Sequence, residues 1–197
     1  MRGYFGIGAE GISKTMNVGA LFRTAHAFDA SFVFTVHGNY ARRLGGRADT
    51  SDAVGHVPFY EFPDVDALRL PEGCALVGVE LTDDAVELPS FRHPANAAYI
   101  LGPERGSLSA EMVGRCDFVV KIPTKFCINV SLAGALVMYD RTLQMGKFPR
   151  RPDRPGGPLE DAPEHQHGGP TLRRLKEYLA QPPEDAVKAL QDVDPYE

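Results

Sequence analysis

Apolar and polar positions along the chain follow two periods in turn, and the elements they predict alternate accordingly. "YFGIGAE" (Tyr4 to Glu10) reads as a strand. "NVGALFRTAHAF" then sets Val18, Leu21, Phe22, Ala25 and Phe28 at helical spacing. "SFVFTVH" (Ser31 to His37) is a second strand, rich in aromatic and β-branched residues. Gly, Arg and Asp dominate Gly38 to Asp52, a long loop with room for one helical turn. "VPFYEF" predicts a short strand and "DVDALRL" a short helix opened by an Asp cap. "CALVGVEL", "AAYIL" and "DFVVKIP" have the length of buried strands, the last ended by Pro123. Between the last two, "LSAEMVGRC" is helical, with Ser107 or Ser109 available as cap. Such alternation predicts an α/β domain with a mostly parallel sheet flanked by helices.

From Ile128 to Gln144 the chain is apolar on nearly every face until Asp140. A helix of that kind is buried on all sides, so one face packs on the sheet and another on a partner subunit, which predicts a homodimer. Residues 1–147 form the predicted domain. Residues 148–170 turn to Pro, Gly, Arg and His and read as a linker, and 171–197 as a short helical or partly disordered tail broken at Pro182-Pro183.

With 43% hydrophobic and 24% charged residues, the composition is that of a soluble globular protein. The first residues show no signal peptide, and no run reaches the length of a membrane span. Cys74, Cys116 and Cys127 are few, odd in number and in apolar settings, which predicts a cytoplasmic protein. The net charge of −5 is unevenly spread: residues 61–120 hold four Lys/Arg against eleven Asp/Glu, whereas 121–155 hold seven against two. Phosphate binding follows local potential rather than the total, so RNA is not excluded.

Three segments carry residue types that folding does not require. Asn17 suits a helix N-cap or a place in a site. Arg23, six residues on, lies inside the face of Leu21, Phe22 and Ala25, where an arginine wants an anion. Gly102-Pro103-Glu104-Arg105-Gly106 joins a strand to a helix, the place where α/β proteins bind ligands. It is neither a GxGxxG nor a P-loop, which weakens dinucleotide and nucleoside triphosphate readings; a surface turn with an ion pair is the alternative. In "KIPTKFCINVSLAGALVMYD", Asn129 and Ser131 could cap the long helix, and Cys127, lacking a His partner, reads as a buried structural thiol. His165 and His167 read as part of a solvated loop, and no metal is expected.

Taken in order, Asn-x-Gly-x-x-x-Arg, LGPERG-S-L and IP…INVSLAGALVMYD resemble the three motifs of the SpoU/TrmH family of RNA ribose 2'-O-methyltransferases, within the SPOUT superfamily. The resemblance covers roughly residues 3 to 146. It implies a C-terminal trefoil knot, formed by the LGPERG loop and the IP…INVS segment, with S-adenosylmethionine folded in it. It implies cofactor contacts from Val79, Glu80, Gly102, Pro103, Gly106, Ile122, Cys127, Ile128 and Ser131. It also implies a dimer through the helix from Ile128, with a site drawn from two subunits. Arg23 matches the motif-1 arginine. Since a guanidinium is not readily deprotonated, holding phosphate and stabilising an alkoxide suits it better than acting as a base. Asn17 would orient Arg23 or the ribose, Glu104 would fix the cofactor loop or pair with an arginine, and Asn129 would stand near the reacting groups.

This chain departs from the pattern in places. Its motif-3 loop is shorter, Cys127 stands where Ser is usual, and Lys14 replaces a motif-1 Asn. No RNA-capturing domain precedes the motifs, as in the family's minimal tRNA enzymes, so Arg42, Arg43, Arg47, Arg141, Lys147, Arg150 and Arg151 are the candidate phosphate contacts. The expected activity is 2'-O-methylation of RNA, tRNA rather than rRNA. The alternatives are a base-methylating SPOUT enzyme and an inactive knotted RNA-binding protein.

Overall fold

The computed structural model describes residues 3–38, 56–149, 151–153 and 155–157. The chain divides into two units, Met1–Phe148 and Pro149–Glu197, and the first holds every element below. Among the described residues there are seven strands: β1 (Phe5–Glu10), β2 (Phe32–Val36), β3 (Phe59–Phe62), β4 (Ala75–Val79), β5 (Val86–Glu87), β6 (Ala97–Leu101) and β7 (Phe118–Lys121). They form one sheet in the order β3-β2-β1-β6-β4-β7-β5, with every pairing parallel. Among the described residues three α-helices accompany it: α1 (Thr15–Ala27), α2 (Ala110–Arg115) and α3 (Val130–Met145).

A parallel sheet is covered on both faces, so its central strands are apolar on both. β1, β2 and β6 are buried throughout. Ile7, Ala9, Val33, Tyr99 and Leu101 join Leu21, Phe22, Val137 and Met138 in the core beneath α1 and α3. Phe34, Val36, Ala98 and Ile100 point the other way, to Leu68 and to Met112 of α2.

Several expectations need correction. "DVDALRL" is a turn, not a helix: Asp64 Oδ1 accepts from the Ala67 amide at 2.7 Å, and Pro71 follows too soon for a second turn. Asn17 is not the cap of α1; Lys14, three residues earlier, holds that position. The long helix starts at Val130 rather than Ile128, with Asn129 as its cap. The face of the helix expected against a partner subunit is open within the chain, where Leu132 (60% exposed), Leu136 (43%) and Tyr139 (50%) form an apolar stripe. The edge strand β5 was not foreseen. Residues 39–55, Arg150, the His165/His167 loop and the tail helices lie outside the described residues, and Arg42, Arg43 and Arg47 with them.

Arg141, proposed above for phosphate, is instead sealed inside the fold. Its guanidinium donates to the carbonyls of Pro94 (2.6 Å), Ala95 (2.7 Å) and Tyr4 (3.3 Å) and to the Tyr99 hydroxyl (3.2 Å). The cation also lies over the Phe5 ring, 5.3 Å from its centre. The Tyr99 hydroxyl, accepting from Arg141, donates to Nδ1 of buried His93 (2.6 Å), which leaves His93 Nε2 to donate to Asp140 (2.9 Å). Burial holds the His93 pKa below its ordinary value despite Asp140, and pushes the Tyr99 phenol up to about 12. This network fastens the C-terminal half of α3 to the segments before β1 and β6.

Candidate active site

The functional candidates gather where β1, β4, β6 and β7 end. An open pocket of about 550 Å³, counting the solvent at its mouth, is lined by Val79, Glu80 and Leu81 at the end of β4, Leu101, Gly102, Pro103 and Gly106 at the end of β6, and Ile122 and Thr124 after β7. Cys127, Ile128, Val130 and Ala133 close it from the start of α3.

Carboxylates hold the loop between β6 and α2 in place. Glu10, at the end of β1, is buried and accepts from the Ser109 amide (2.9 Å) and hydroxyl (2.6 Å). Ser109 Oγ in turn caps α2 at Met112. Glu80 accepts from the Leu108 amide at 2.7 Å and the Leu81 amide at 2.9 Å. A Cβ on Gly102 would lie 3.0 Å from the Leu108 nitrogen and 3.4 Å from Glu80, so only glycine lets the loop close this tightly. Gly106 turns the loop back at φ +112, a conformation other residues rarely adopt.

The loop's own carboxylate, Glu104, reaches across to the start of α1. Its Oε1 accepts from the Lys14 amide and Asn17 Nδ2, both at 3.0 Å, and its Oε2 from the Ser13 amide and hydroxyl, both at 3.3 Å. Partial burial would raise its pKa, but these hydrogen bonds outweigh burial and hold it below the ordinary value. Lys14, at the cap position, has no capping side chain, and Glu104 supplies negative charge there from another loop.

From Glu104 the bonds continue through Asn17. Asn17 Oδ1 accepts from Asn129 Nδ2 at 3.1 Å, and Asn129 Oδ1 accepts from the Ser131 amide (2.9 Å) and hydroxyl (2.6 Å), capping α3. A carboxylate can only accept, so the sense of every amide in the relay is fixed from Glu104 outward. The three motifs thus meet in one chain of hydrogen bonds.

The pocket brings together Val79, Glu80, Gly102, Pro103, Gly106, Ile122, Cys127 and Ile128. It does not include Ser131, whose hydroxyl turns to Asn129. Cys127 is exposed at the pocket rather than a buried structural thiol. Arg23 is exposed and not inside the buried face of α1, since Leu21, Phe22 and Ala25 occupy that face. Glu104 takes amides and a hydroxyl rather than an arginine. Lys147 and Arg151 are exposed. Sequence reasoning missed Glu10 and Thr124. A carboxylate closing the apolar run FGIGAE was the available signal for Glu10; Thr124 offered none.

The profile of the SpoU rRNA Methylase family matches residues 5–139. The chain belongs to this family. A mouse tRNA (guanosine(18)-2'-O)-methyltransferase is 28% identical over 141 residues, covering 68% of this chain and 9% of that protein. The Escherichia coli tRNA (guanosine(18)-2'-O)-methyltransferase is 26% identical over 140 residues, 68% of this chain and 61% of that one. The chain therefore spans less than two thirds of these SpoU relatives. Among solved structures, the AdoMet-bound rRNA methyltransferase of Sinorhizobium meliloti shares the fold, with a TM-score of 0.66 and 17% identity over 75% of this chain and 59% of that one. Among the described residues no helix is long and apolar enough to cross a membrane, and no cluster could hold a metal.

Proposed function

We propose that this SpoU-family chain transfers a methyl group from S-adenosylmethionine to a ribose 2'-hydroxyl of RNA, tRNA rather than rRNA. The observation that carries the reading is the pocket itself. Leu101, Ile122, Ile128 and Val130 give it apolar walls for a flat base, Glu80 stands at its edge for ribose hydroxyls, and none of its described lining residues is basic. An anionic nucleotide gains nothing there, whereas a cationic sulfonium nucleoside is favoured by Glu10, Glu80 and Glu104 around the loop. S-adenosylmethionine supplies an activated methyl in such a site.

The chain's own residues supply position. Glu104, through Asn17, fixes the Asn129 carboxamide, between the pocket-lining Ile128 and Val130. Because Glu104 already accepts four hydrogen bonds, it is poorly placed to take a proton. Arg23, about 9 Å along α1 from Asn17 by helical rise, holds the nucleotide's phosphate and stabilises the alkoxide as the 2'-hydroxyl proton passes to water. Alignment of oxygen and methyl then carries most of the rate.

Leu132, Leu136 and Tyr139 fit a second copy of the chain, whose site residues border this pocket. The loops lining the pocket are those the family resemblance assigns to a knot, and the three free cysteines suit the cytoplasm. The names of the mouse and bacterial relatives favour tRNA.

Nucleoside mass spectrometry after incubation with bulk tRNA and rRNA tests the reading: a 2'-O-methylnucleoside in tRNA is expected. A methylated base refutes the ribose assignment. No product, together with no cofactor heat in calorimetry, leaves only RNA binding. Light scattering should give twice the chain mass, and Leu136→Glu should halve it.

A further inference from the structure

The loop from Ile122 to Asn129 brings Ile122, Thr124, Cys127 and Ile128 to the pocket, while its one aromatic ring is not part of the lining. Phe126 is 77% exposed, more than any other large apolar side chain among the described residues. It takes part in none of the ring contacts found among them. Nothing in the fold requires it: the core beneath α3 is closed by Val130, Ala133 and Val137. Lys125 beside it is exposed, in the stretch where seven Lys/Arg face two Asp/Glu. Lys121, by contrast, is tied to the carbonyls of Thr82 and Asp83, both at 3.1 Å.

Two occupants could cover an exposed ring at this place. A second copy fits the stripe of Leu132, Leu136 and Tyr139, where apolar residues recur at helical spacing. Phe126 stands apart from that spacing, among Thr124, Lys125 and Asn129, and lysine is depleted from protein interfaces. An aromatic ring beside a cation is the combination that binds single-stranded nucleic acid, ring to base and cation to phosphate. Phe126 is three residues from Asn129, so their Cα atoms are at most about 11 Å apart. That is within one nucleotide's reach of the site.

We propose that Phe126 stacks on an unpaired base of the RNA, the target base or its neighbour, with Lys125 on the adjoining phosphate. Phe126 is then a specificity-determining residue that selects unpaired RNA at the mouth of the pocket. The inference rests on the proposed RNA methyltransferase reading. Its test uses the full chain, bulk tRNA, and a single-stranded oligoribonucleotide carrying 2-aminopurine, beside the same oligonucleotide in a duplex. Phe126→Ala and Phe126→Leu should each weaken single-strand binding and raise KM for tRNA roughly ten-fold. Phe126→Trp should restore both, with 2-aminopurine quenching. Cofactor affinity by calorimetry, the melting midpoint and duplex binding should be unmoved.

Full binding by Phe126→Leu would overturn the stacking role, since it keeps the apolar surface and lacks the ring. A fall in mass by light scattering in Phe126→Ala would assign the ring to the second copy instead. If the wild type methylates RNA and Phe126→Ala loses nothing, stacking alone falls. If the wild type binds no S-adenosylmethionine, the enzyme reading falls while oligonucleotide binding still reports on the ring.

Discussion

At the start of α3, Asn129, Asn17 and Glu104 share hydrogen bonds within reach of solvent; towards its end, Arg141, Tyr99 and His93 share theirs with at most 5% of each residue exposed. The buried set is closed: both terminal nitrogens of Arg141 donate to protein oxygens, and both ring nitrogens of His93 are partnered. Its strength lies in the cost of undoing it, because a buried carbonyl or cation left unpaired cannot turn to water. The open set fixes direction at modest energetic gain. One helix therefore carries a fastening at one end and a positioning device at the other.

The comparison breaks most visibly at Arg141. Arg141→Met removes four hydrogen bonds from carbonyl and hydroxyl partners and should cost about 3 kcal/mol. In a thermal melt that is a fall of about 6–12 °C, with cofactor affinity of the folded protein unchanged. A shift of under two degrees would show that the closed set is not a fastening.

Glu104→Gln should do the reverse. It replaces one acceptor oxygen with a donor that faces other donors, loosening the loop. Cofactor affinity should fall about ten-fold, equivalent to 1.4 kcal/mol, with a smaller loss in melting midpoint than Arg141→Met gives. Asn129→Asp is subtler. Aspartate caps a helix as well as asparagine does, so α3 should keep its stability, while the donor to Asn17 is lost. Methyl transfer should slow about five-fold at an unchanged midpoint; a lowered midpoint with full rate would reduce Asn129 to a cap.

The smallest effect separates the two sets by pH. Because burial lowers the His93 pKa in the folded state, the unfolded chain takes up the proton first. His93 thus contributes stability above about pH 6.5 that is lost as pH falls below it. Melting at pH 5.5 should come earlier than at pH 7.5, and His93→Gln should narrow the gap. Glu104, already held below the ordinary carboxylate value, keeps its charge over that range, so its relay weakens only under stronger acid. Cofactor affinity across the same pH interval should stay flat.

What was legible in the sequence follows from these physics. The strands of the parallel sheet announce themselves because burial on both faces demands runs such as AAYIL, and Pro123 marks where one ends. Ser109 and Asn129 were readable as caps because capping is local. Asn17 shows the limit: its residue type suits a cap, but its partners Glu104 and Asn129 lie 87 and 112 positions away. Arg141 misled for the same reason, since a cation in a basic stretch gives no sign that carbonyls from two other segments surround it. His93 and Glu10 carry no motif at all. The family motifs filled part of this gap by bringing distant residues into one frame.

The relay from Glu104 through Asn17 to Asn129 has a consequence for the order in which the chain acquires its shape. Each link closes a loop of roughly ninety residues or more, and entropy opposes such closures until much of the sheet already holds the ends together. A nascent chain that has emerged only as far as β7 has β1, α1 and the Glu104 loop but no Asn129 to complete the line. The hydrogen-bonded relay is therefore the last part of the site that synthesis completes, arriving with the first turn of α3.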